Sequence, residues 1–273
     1  MIYLLEIHKI FKEIASSQLL GRNTKMRLVL AEPGYLKDSI SILSELVNEA
    51  RFKITKNGLK CIAMDPANVA MVIFELLASN FVEYQIDEDK EIGINLANFK
   101  QVLKRATAAD VLTLEVTDDN KLKIQLKAST TRTFSLPLLE IEENEQKVPN
   151  LEFPVSIKLK AHVLNDAIND ADIVAESVTF NAEPETFSIR AEGDLSKAHI
   201  EIKSDDRTQI SSQLTANVKA KYSIEYLKKM MQGSKISEDV EVRFNQDYPL
   251  KLDYKVQDKL LLSFILAPRV END

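Results

Sequence analysis

One feature constrains the fold of this chain more than any single motif: its pattern of apolar residues repeats at a fixed offset. Slid by 128 positions, the step from Leu36 to Leu164, apolar residues fall on apolar residues without a gap from Leu36 to Leu122. Ile40 meets Ile168, Phe52 meets Phe180, Leu59 meets Phe187, Phe74 meets Ile202, Leu96 meets Ile224 and Phe99 meets Leu227. Leu112, Leu114 and Val116 meet Val240, Val242 and Phe244, and Leu122 meets Leu250. Few letters are shared, but the phase is kept. Two copies of one fold should look like this, because a core position constrains polarity more tightly than identity. The spacing is far longer than a solenoid repeat, so the chain reads as two similar domains.

The 273 residues are enough for two domains, each with its own core, and a hydrophobic content of 45% argues against disorder. No apolar run approaches the ~18 residues that cross a bilayer, so no membrane role is read. The lone Cys61 can form no internal disulfide, which suits a reducing cytosol. A net charge of −7 has the wrong sign for a protein that coats nucleic acid, so any such role must come from local basic patches. Residues 1–25 stand outside the repeat. Ile7, Ile10, Phe11 and Ile14 follow helical spacing, with no secretory pattern. They read either as an added amphipathic helix or as an extension upstream of a natural start at Met26, which opens the first strand-like run.

In the first copy, strands are expected at Arg27–Ala31, Ala50–Thr55, Leu59–Met64, Val69–Leu77, Glu91–Asn95, Val111–Val116, Lys121–Leu126 and Thr131–Leu136. The Asn57-Gly58 pair marks a hairpin. Helices are expected from Pro33-Gly34 to about Val47 and over Asn98–Ala106. The second copy gives strands at Val155–Leu159, Ser177–Asn181, Thr186–Ala191, Ala198–Lys203, Val218–Tyr222, Val240–Phe244, Leu250–Lys255 and Lys259–Leu266. Its helices fall at Ala161–Asp172 and Ser223–Gln232. Strands joined mostly by short turns, with two helices per copy, predict an α+β fold of antiparallel sheets with helices on one face. The boundaries are an extension at 1–25, a first domain at 26–136, an acidic proline-bounded connector at 137–150 and a second domain at 151–273.

Catalytic patterns are missing. There is no glycine-rich phosphate loop, no His-Glu-x-x-His and no Gly-x-Ser-x-Gly elbow, and His8, His162 and His199 are scattered. Cys61 lies in a strand beside Ile62 and reads as a buried thiol. Asp166, Asp170 and Asp172 are either a solvated acidic face or the metal site of an enzyme built on a duplicated scaffold. No catalytic residue, metal ligand or cofactor is assigned. The helix Asn98–Ala106 carries Lys100, Lys104 and Arg105 on its polar face, and its repeat mate carries Lys228 and Lys229. Lys100 and Lys228 occupy the same place in the repeat. Such a stripe is either solvated surface or a face for a phosphate backbone.

Three segments together carry a family resemblance: Met64-Asp65-Pro66-Ala67-Asn68-Val69, the lysine-bearing helix after Gly93-Ile94-Asn95-Leu96, and Leu266-Ala267-Pro268-Arg269-Val270. Across roughly Met26 to Val270 the chain resembles the archaeal and eukaryotic sliding clamps, the proliferating cell nuclear antigen family. The resemblance implies the DNA clamp fold: a ring of three subunits, homo- or hetero-trimeric, whose helices line a hole around duplex DNA. Such a ring is a processivity factor without catalysis, holding DNA polymerase, the clamp loader, ligase and flap nuclease. It works in the cytoplasm beside the nucleoid if archaeal, or in the nucleus if eukaryotic. A subunit specialised for DNA-damage signalling is the nearer alternative.

Carried over by position, the DNA-facing residues are Lys37, Lys100, Lys104, Arg105, Lys228 and Lys229. The partner-peptide pocket is Met64, Val69, Met71, Val148, Pro249, Ile265, Ala267 and Pro268. The subunit joint pairs Thr131–Leu136 with Ala198–Lys203 of a neighbour, through Arg132, Phe134, Ala198, Ile200 and Ile202. The helix Ala161–Asp172 departs from the family pattern, carrying Asp166, Asn169 and Asp170 where clamps often have basic residues.

Overall fold

The computed structural model describes residues 26–140, 146–212 and 217–269, so the segment before Met26 and part of the acidic connector lie outside the described residues. The first copy runs β1 (Met26–Leu30), α1 (Gly34–Leu43), β2 (Glu49–Thr55), β3 (Gly58–Met64), β4 (Ala70–Leu77), β5 (Glu83–Ile86), β6 (Lys90–Asn95), α2 (Leu96–Leu103), β7 (Val111–Val116), β8 (Lys121–Lys127) and β9 (Thr131–Pro137). The second runs β10 (Val155–Lys160), α3 (Ala161–Asp172), β11 (Ser177–Glu183), β12 (Thr186–Glu192), β13 (Lys197–Lys203), β14 (Gln209–Ser212), β15 (Val218–Ser223), α4 (Ile224–Met230), β16 (Asp239–Phe244), β17 (Leu250–Val256) and β18 (Leu260–Leu266). Strand for strand and helix for helix, the order is the same. The sheets are antiparallel, as the strand-rich pattern with short turns requires.

Two strands were not expected from sequence. β5 falls between the expected strands Val69–Leu77 and Glu91–Asn95, and β14 between Ala198–Lys203 and Val218–Tyr222. Both are four residues long, polar and at a sheet edge, so their pairing with β1 and β10 supplies what propensity does not. The helices are also shifted. α2 begins at Leu96 because the Asn95 side chain accepts the Asn98 N–H at 3.0 Å and caps its first turn. α4 stops at Met230 and tightens into the 3-10 turn Met231–Lys235. A Cβ at Gly233 would meet the Tyr254 ring at 2.3 Å, so the turn packs against that ring only because it has no side chain there.

Each copy builds one sheet of five and one of four. β5-β1-β7-β8-β9 stands alone as a five-stranded sheet, and β13-β12-β11-β15 as a four-stranded one. The other two halves fuse into nine strands, β14-β10-β16-β17-β18-β4-β3-β2-β6. The seam is the antiparallel ladder of β4 with β18, in the register Phe264↔Val72 and Leu262↔Phe74. Inward-facing Ala70, Val72, Phe74, Leu262, Phe264 and Leu266 are buried, so one core runs across the seam. The ladders also refine the repeat. Cys61 pairs with Phe74, whereas Ile189, its mate 128 residues on, pairs with Ile200. Phe74 therefore corresponds to Ile200 rather than Ile202. The two-residue slip keeps the same face inward because a strand repeats every two residues.

Helix positions follow the repeat too. Leu36, Ile40 and Leu43 of α1 are buried, and so are their mates Leu164, Ile168 and Ala171 of α3. α1 packs on α2, α3 packs on α4, and the Met231–Lys235 turn touches both α1 and α3, so the helices form one continuous layer. The core at the seam predicts that Phe74→Ala costs about 3–5 kcal/mol of unfolding free energy by urea denaturation. A loss below about 1 kcal/mol would mean that the seam contributes little to stability.

Candidate functional site

The inner site is the polar side of the helix layer. Burial of Leu96, Phe99, Val102 and Leu103 turns Lys100 and Lys104 of α2 outward, and burial of Ile224, Leu227 and Met230 does the same for Lys228 and Lys229 of α4. The lysines do not stand free as a stripe. Lys100 Nζ donates to Glu45 at 2.6 Å and Lys228 Nζ to Asp172 at 2.6 Å. In both copies the second helix is thus tied to the end of the first by the same cation. Lys229 pairs with Glu225 at 2.8 Å and sits 5.0 Å above the Tyr226 ring. Lys37 Nζ donates to the carbonyl oxygen of Ala106 at 2.8 Å. Lys104 and Arg105 are exposed and have no ion-pair partner among the described residues.

A groove of about 730 Å³ opens where the helices of the two copies meet, and Glu45, Asp172, Lys228, Lys229, Lys235 and Arg269 are among its lining residues. Lys235 and Arg269 were missed by sequence reasoning. Lys235 ends the turn that continues α4, outside the lysine-bearing helix proper, and only folding brings Arg269 beside it. Asp172 of the acidic helix is held by Lys228, and among the described residues no group of three His, Cys, Asp or Glu side chains could hold a metal ion.

The outer site is an apolar patch on the opposite side of the seam. Alternation along β3, β4 and β18 turns Ile62 and Met64, Met71 and Ile73, and Ile265 away from the main core. Register sets Met64 opposite Met71, Met71 opposite Ile265, and Ile62 opposite Ile73. Leu151 closes the cluster. Met64, Met71 and Ile265 of the expected pocket are therefore brought together. Ile62, Ile73 and Leu151 were missed, although the two-residue spacing Ile62-x-Met64 and Met71-x-Ile73 carried the signal. Val148 is 41% exposed and, with Met64, lines an adjoining open groove of about 1390 Å³. Val69 instead packs on the interior cluster. Ala267 lies beside it, its N–H donating to the Val69 carbonyl at 2.9 Å, and Pro249 and Pro268 are half-buried.

The turn at the patch edge is held by one carboxylate. Asp65 accepts the N–H groups of Val69 and Ala70 at 2.7 Å each, that of Ala67 at 3.2 Å, and the Tyr226 hydroxyl at 2.6 Å. Asn68 takes the left-handed conformation the turn needs, with φ of 57°. Burial alone would raise the Asp65 pKa, but these four hydrogen bonds outweigh it and hold the carboxyl below the usual range. The turn beside the outer patch is thereby bonded to α4 of the inner face.

Comparison with known proteins matches this arrangement over nearly its whole length. Residues 26–146 match the N-terminal domain model of proliferating cell nuclear antigen, and residues 147–269 match the C-terminal domain model. The chain is 37% identical over 235 residues to the DNA polymerase sliding clamp of Thermococcus fumicolans, covering 86% of this chain and 94% of that one. It is 34% identical over 232 residues to the DNA polymerase sliding clamp of Pyrococcus furiosus, covering 85% and 93%. Among solved structures, PCNA from Thermococcus kodakaraensis superposes with a TM-score of 0.84 at 28% identity, over 89% of this chain and all of that one. A PCNA2-PCNA3 complex from Sulfolobus tokodaii gives 0.81 at 29% identity, over 90% of this chain and 100% of that one.

The hydrogen bonds to Asp65 set a pH signature. A carboxyl whose folded pKa is depressed contributes stability above its unfolded pKa of about 3.9, and that contribution is lost as pH falls through the folded value. Asp65→Asn should cost about 1–3 kcal/mol at pH 7. The gap in melting temperature between it and the wild type should narrow below about pH 4. A gap independent of pH would show that the Asp65 charge is not what holds the turn.

Proposed function

The chain belongs to the proliferating cell nuclear antigen family, and we propose from that premise how its residues carry out the work of a DNA polymerase sliding clamp. A clamp is a processivity factor, not an enzyme. It surrounds duplex DNA as a ring of three subunits, and retention is topological, so its contacts with phosphate can be weak and blind to sequence. Here the hole is lined by the helix layer, with Lys37, Lys100, Lys104, Arg105, Lys228 and Lys229 facing the duplex, joined by Lys235 and Arg269. Partner enzymes dock on the outer face. The ring works inside the cell beside the DNA, with clamp domains at 26–136 and 151–273 and the connector at 137–150 between them.

The observation that carries this reading is the pair of open sheet edges. β4 and β18 are joined inside the chain, while their repeat mates β13 and β9 end their own sheets. β9 of one copy pairing with β13 of the next repeats the internal seam and covers both of these edges. The seam pair Phe264↔Val72 then becomes Phe134 opposite Ala198, and Leu262↔Phe74 becomes Arg132 opposite Ile200, once each strand is matched through its own ladder. Ile202 continues the covered face.

Glu45 and Asp172 beside Lys100 and Lys228 give a face that holds DNA loosely, because each phosphate contact competes with an internal ion pair. Clients, including ligase and flap nuclease as well as polymerase, insert apolar anchors of a short peptide into the Met64, Met71 and Ile265 patch, bounded by Val148, Ala267 and Pro268. Methionines repack at low cost, which suits varied clients.

Light scattering should give a mass near three times the 30.9 kDa of the chain. A monomer at micromolar concentration, alone and with any clamp paralogue, would overturn the ring. Lys100→Glu combined with Lys228→Glu should shorten polymerase runs on primed DNA while sparing the fold by circular dichroism. Unchanged runs would remove these lysines from the DNA face. Separately, Pro268→Asp should abolish binding of a client peptide in calorimetry; retained affinity would move the pocket elsewhere.

A further inference from the structure

The turn that joins β3 to β4 is fixed in part by a residue from the helix layer. Three of the four donors to Asp65 are N–H groups of its own turn, and the fourth is the hydroxyl of Tyr226 in α4, 161 residues away in sequence. The outer patch hangs on this turn. Met64 precedes Asp65 and Met71 follows Ala70, and these two methionines are the ladder pair that the turn joins. The Val69 carbonyl, in the same turn, accepts the Ala267 N–H at 2.9 Å and so holds the segment that carries Pro268.

The internal repeat serves as a control. In the first copy the turn is closed by the Asp65 N–H on the Ala70 carbonyl at 2.8 Å, and in the second by the Gly193 N–H on the Ser196 carbonyl at 2.9 Å. The second turn is shorter by two residues, which is the source of the slip between β4 and β13. Glycine stands in the place of Asp65, and Asn98 of α2 in the place of Tyr226. The pair Met64↔Met71 is replaced by Glu192↔Lys197, an ion pair. The carboxylate, the phenol, the longer turn and the methionine pair therefore occur together in one copy, and none of them occurs in the other. Closing the hairpin does not require the Asp65–Tyr226 bond, since the second copy closes without it.

We infer that Tyr226 is a positioning residue for the outer patch: through Asp65 it fixes the turn that places Met64 and Met71 for an incoming client peptide. The inference rests on the reading of that patch as the client-peptide site. Tyr226 acts through Asp65 and not on the peptide. A methionine side chain repacks freely, so the backbone beneath it must supply the fixed geometry of the site. A turn already set in place leaves less to be ordered when the peptide arrives, and that raises affinity.

The chemistry suits the task. A hydroxyl bonded to a carboxylate makes a stronger hydrogen bond than one between neutral groups. The bond to Asp65 pushes the Tyr226 phenol up to about 12, so it stays protonated and donating at neutral pH. Packing on the main cluster and the Lys229 ammonium 5.0 Å from the ring centroid hold the ring itself in place.

The test measures the affinity of the full, assembled protein for a labelled synthetic peptide bearing aliphatic and aromatic anchors. Tyr226→Phe removes the hydroxyl and keeps the ring, and should raise the dissociation constant about fivefold with no change in mass by light scattering. Asp65→Asn should also weaken binding. The double variant should bind no more weakly than Asp65→Asn alone, because both changes break one bond. In the wild type, peptide binding should slow amide exchange at Val69 and Ala70 and also across Ile224–Met230 of α4, since coupling between two sites is reciprocal. That readout stands if a variant fails to fold. An unchanged dissociation constant in Tyr226→Phe, additive losses in the double variant, or protection that stops short of α4 overturns the positioning role and leaves the patch as the peptide site. A wild type that does not bind the peptide overturns the reading of the patch and the inference with it.

Discussion

The antiparallel ladder between β4 and β18 is the contact on which the rest of the molecule depends. It fuses half of each copy into a nine-stranded sheet and carries one core across the boundary between copies. It also fixes the relative position of everything attached to those strands. Above the ladder it brings α1 against the Met231–Lys235 turn, so the helices form one layer. Below it, Met71 and Ile265 become neighbours from positions far apart in sequence. An edge strand exposes unpaired backbone groups, and satisfying them by a partner strand is strongly directional. Because the chain contains two copies of the same edges and joins only one pair, it is left with a second pair that fits the same kind of partner.

Charge is arranged around that geometry in a way that composition conceals. The net charge is −7, yet the inner helices carry cations at corresponding positions, each countered by a carboxylate at or just past the end of the neighbouring helix. A surface ion pair in high dielectric is worth little, so the pairing tempers the field of the inner face more than it stabilises the fold. That suits a ring whose hold on DNA is topological. A tight phosphate grip would oppose sliding. The outer patch is built differently, from aliphatic and methionine side chains with no charge in the cluster.

Much of this was legible in the residues. The repeat, the antiparallel α+β class and the approximate bounds of most elements followed from apolar spacing, because burial acts on each copy alike. Met64, Met71 and Ile265 could be grouped through resemblance, although nothing local to any of them points to the other two. The misses have physical causes. β5 and β14 are polar four-residue strands formed by the ladder beside them. Val69, grouped with the pocket, is half-buried at the turn held by Asp65 and packs against the edge of the main cluster rather than within the Met71 cluster. Ile62 and Ile73 read as ordinary strand residues until their face was known. Phe74 was matched two residues away from its true mate because a slip of two leaves the polarity pattern unchanged.

Sequence by itself determined that there are two copies, which faces of their helices and strands are apolar, and where cations recur. Those are properties of single elements, set by side-chain polarity and by the periods of helix and strand. Tertiary structure alone decided which edges pair and which stay open, that Glu45 and Asp172 sit on Lys100 and Lys228, and that Lys235 and Arg269 join the inner groove. These depend on register between segments distant along the chain, and the spacing of residues within one segment carries no information about what lies across a ladder from it.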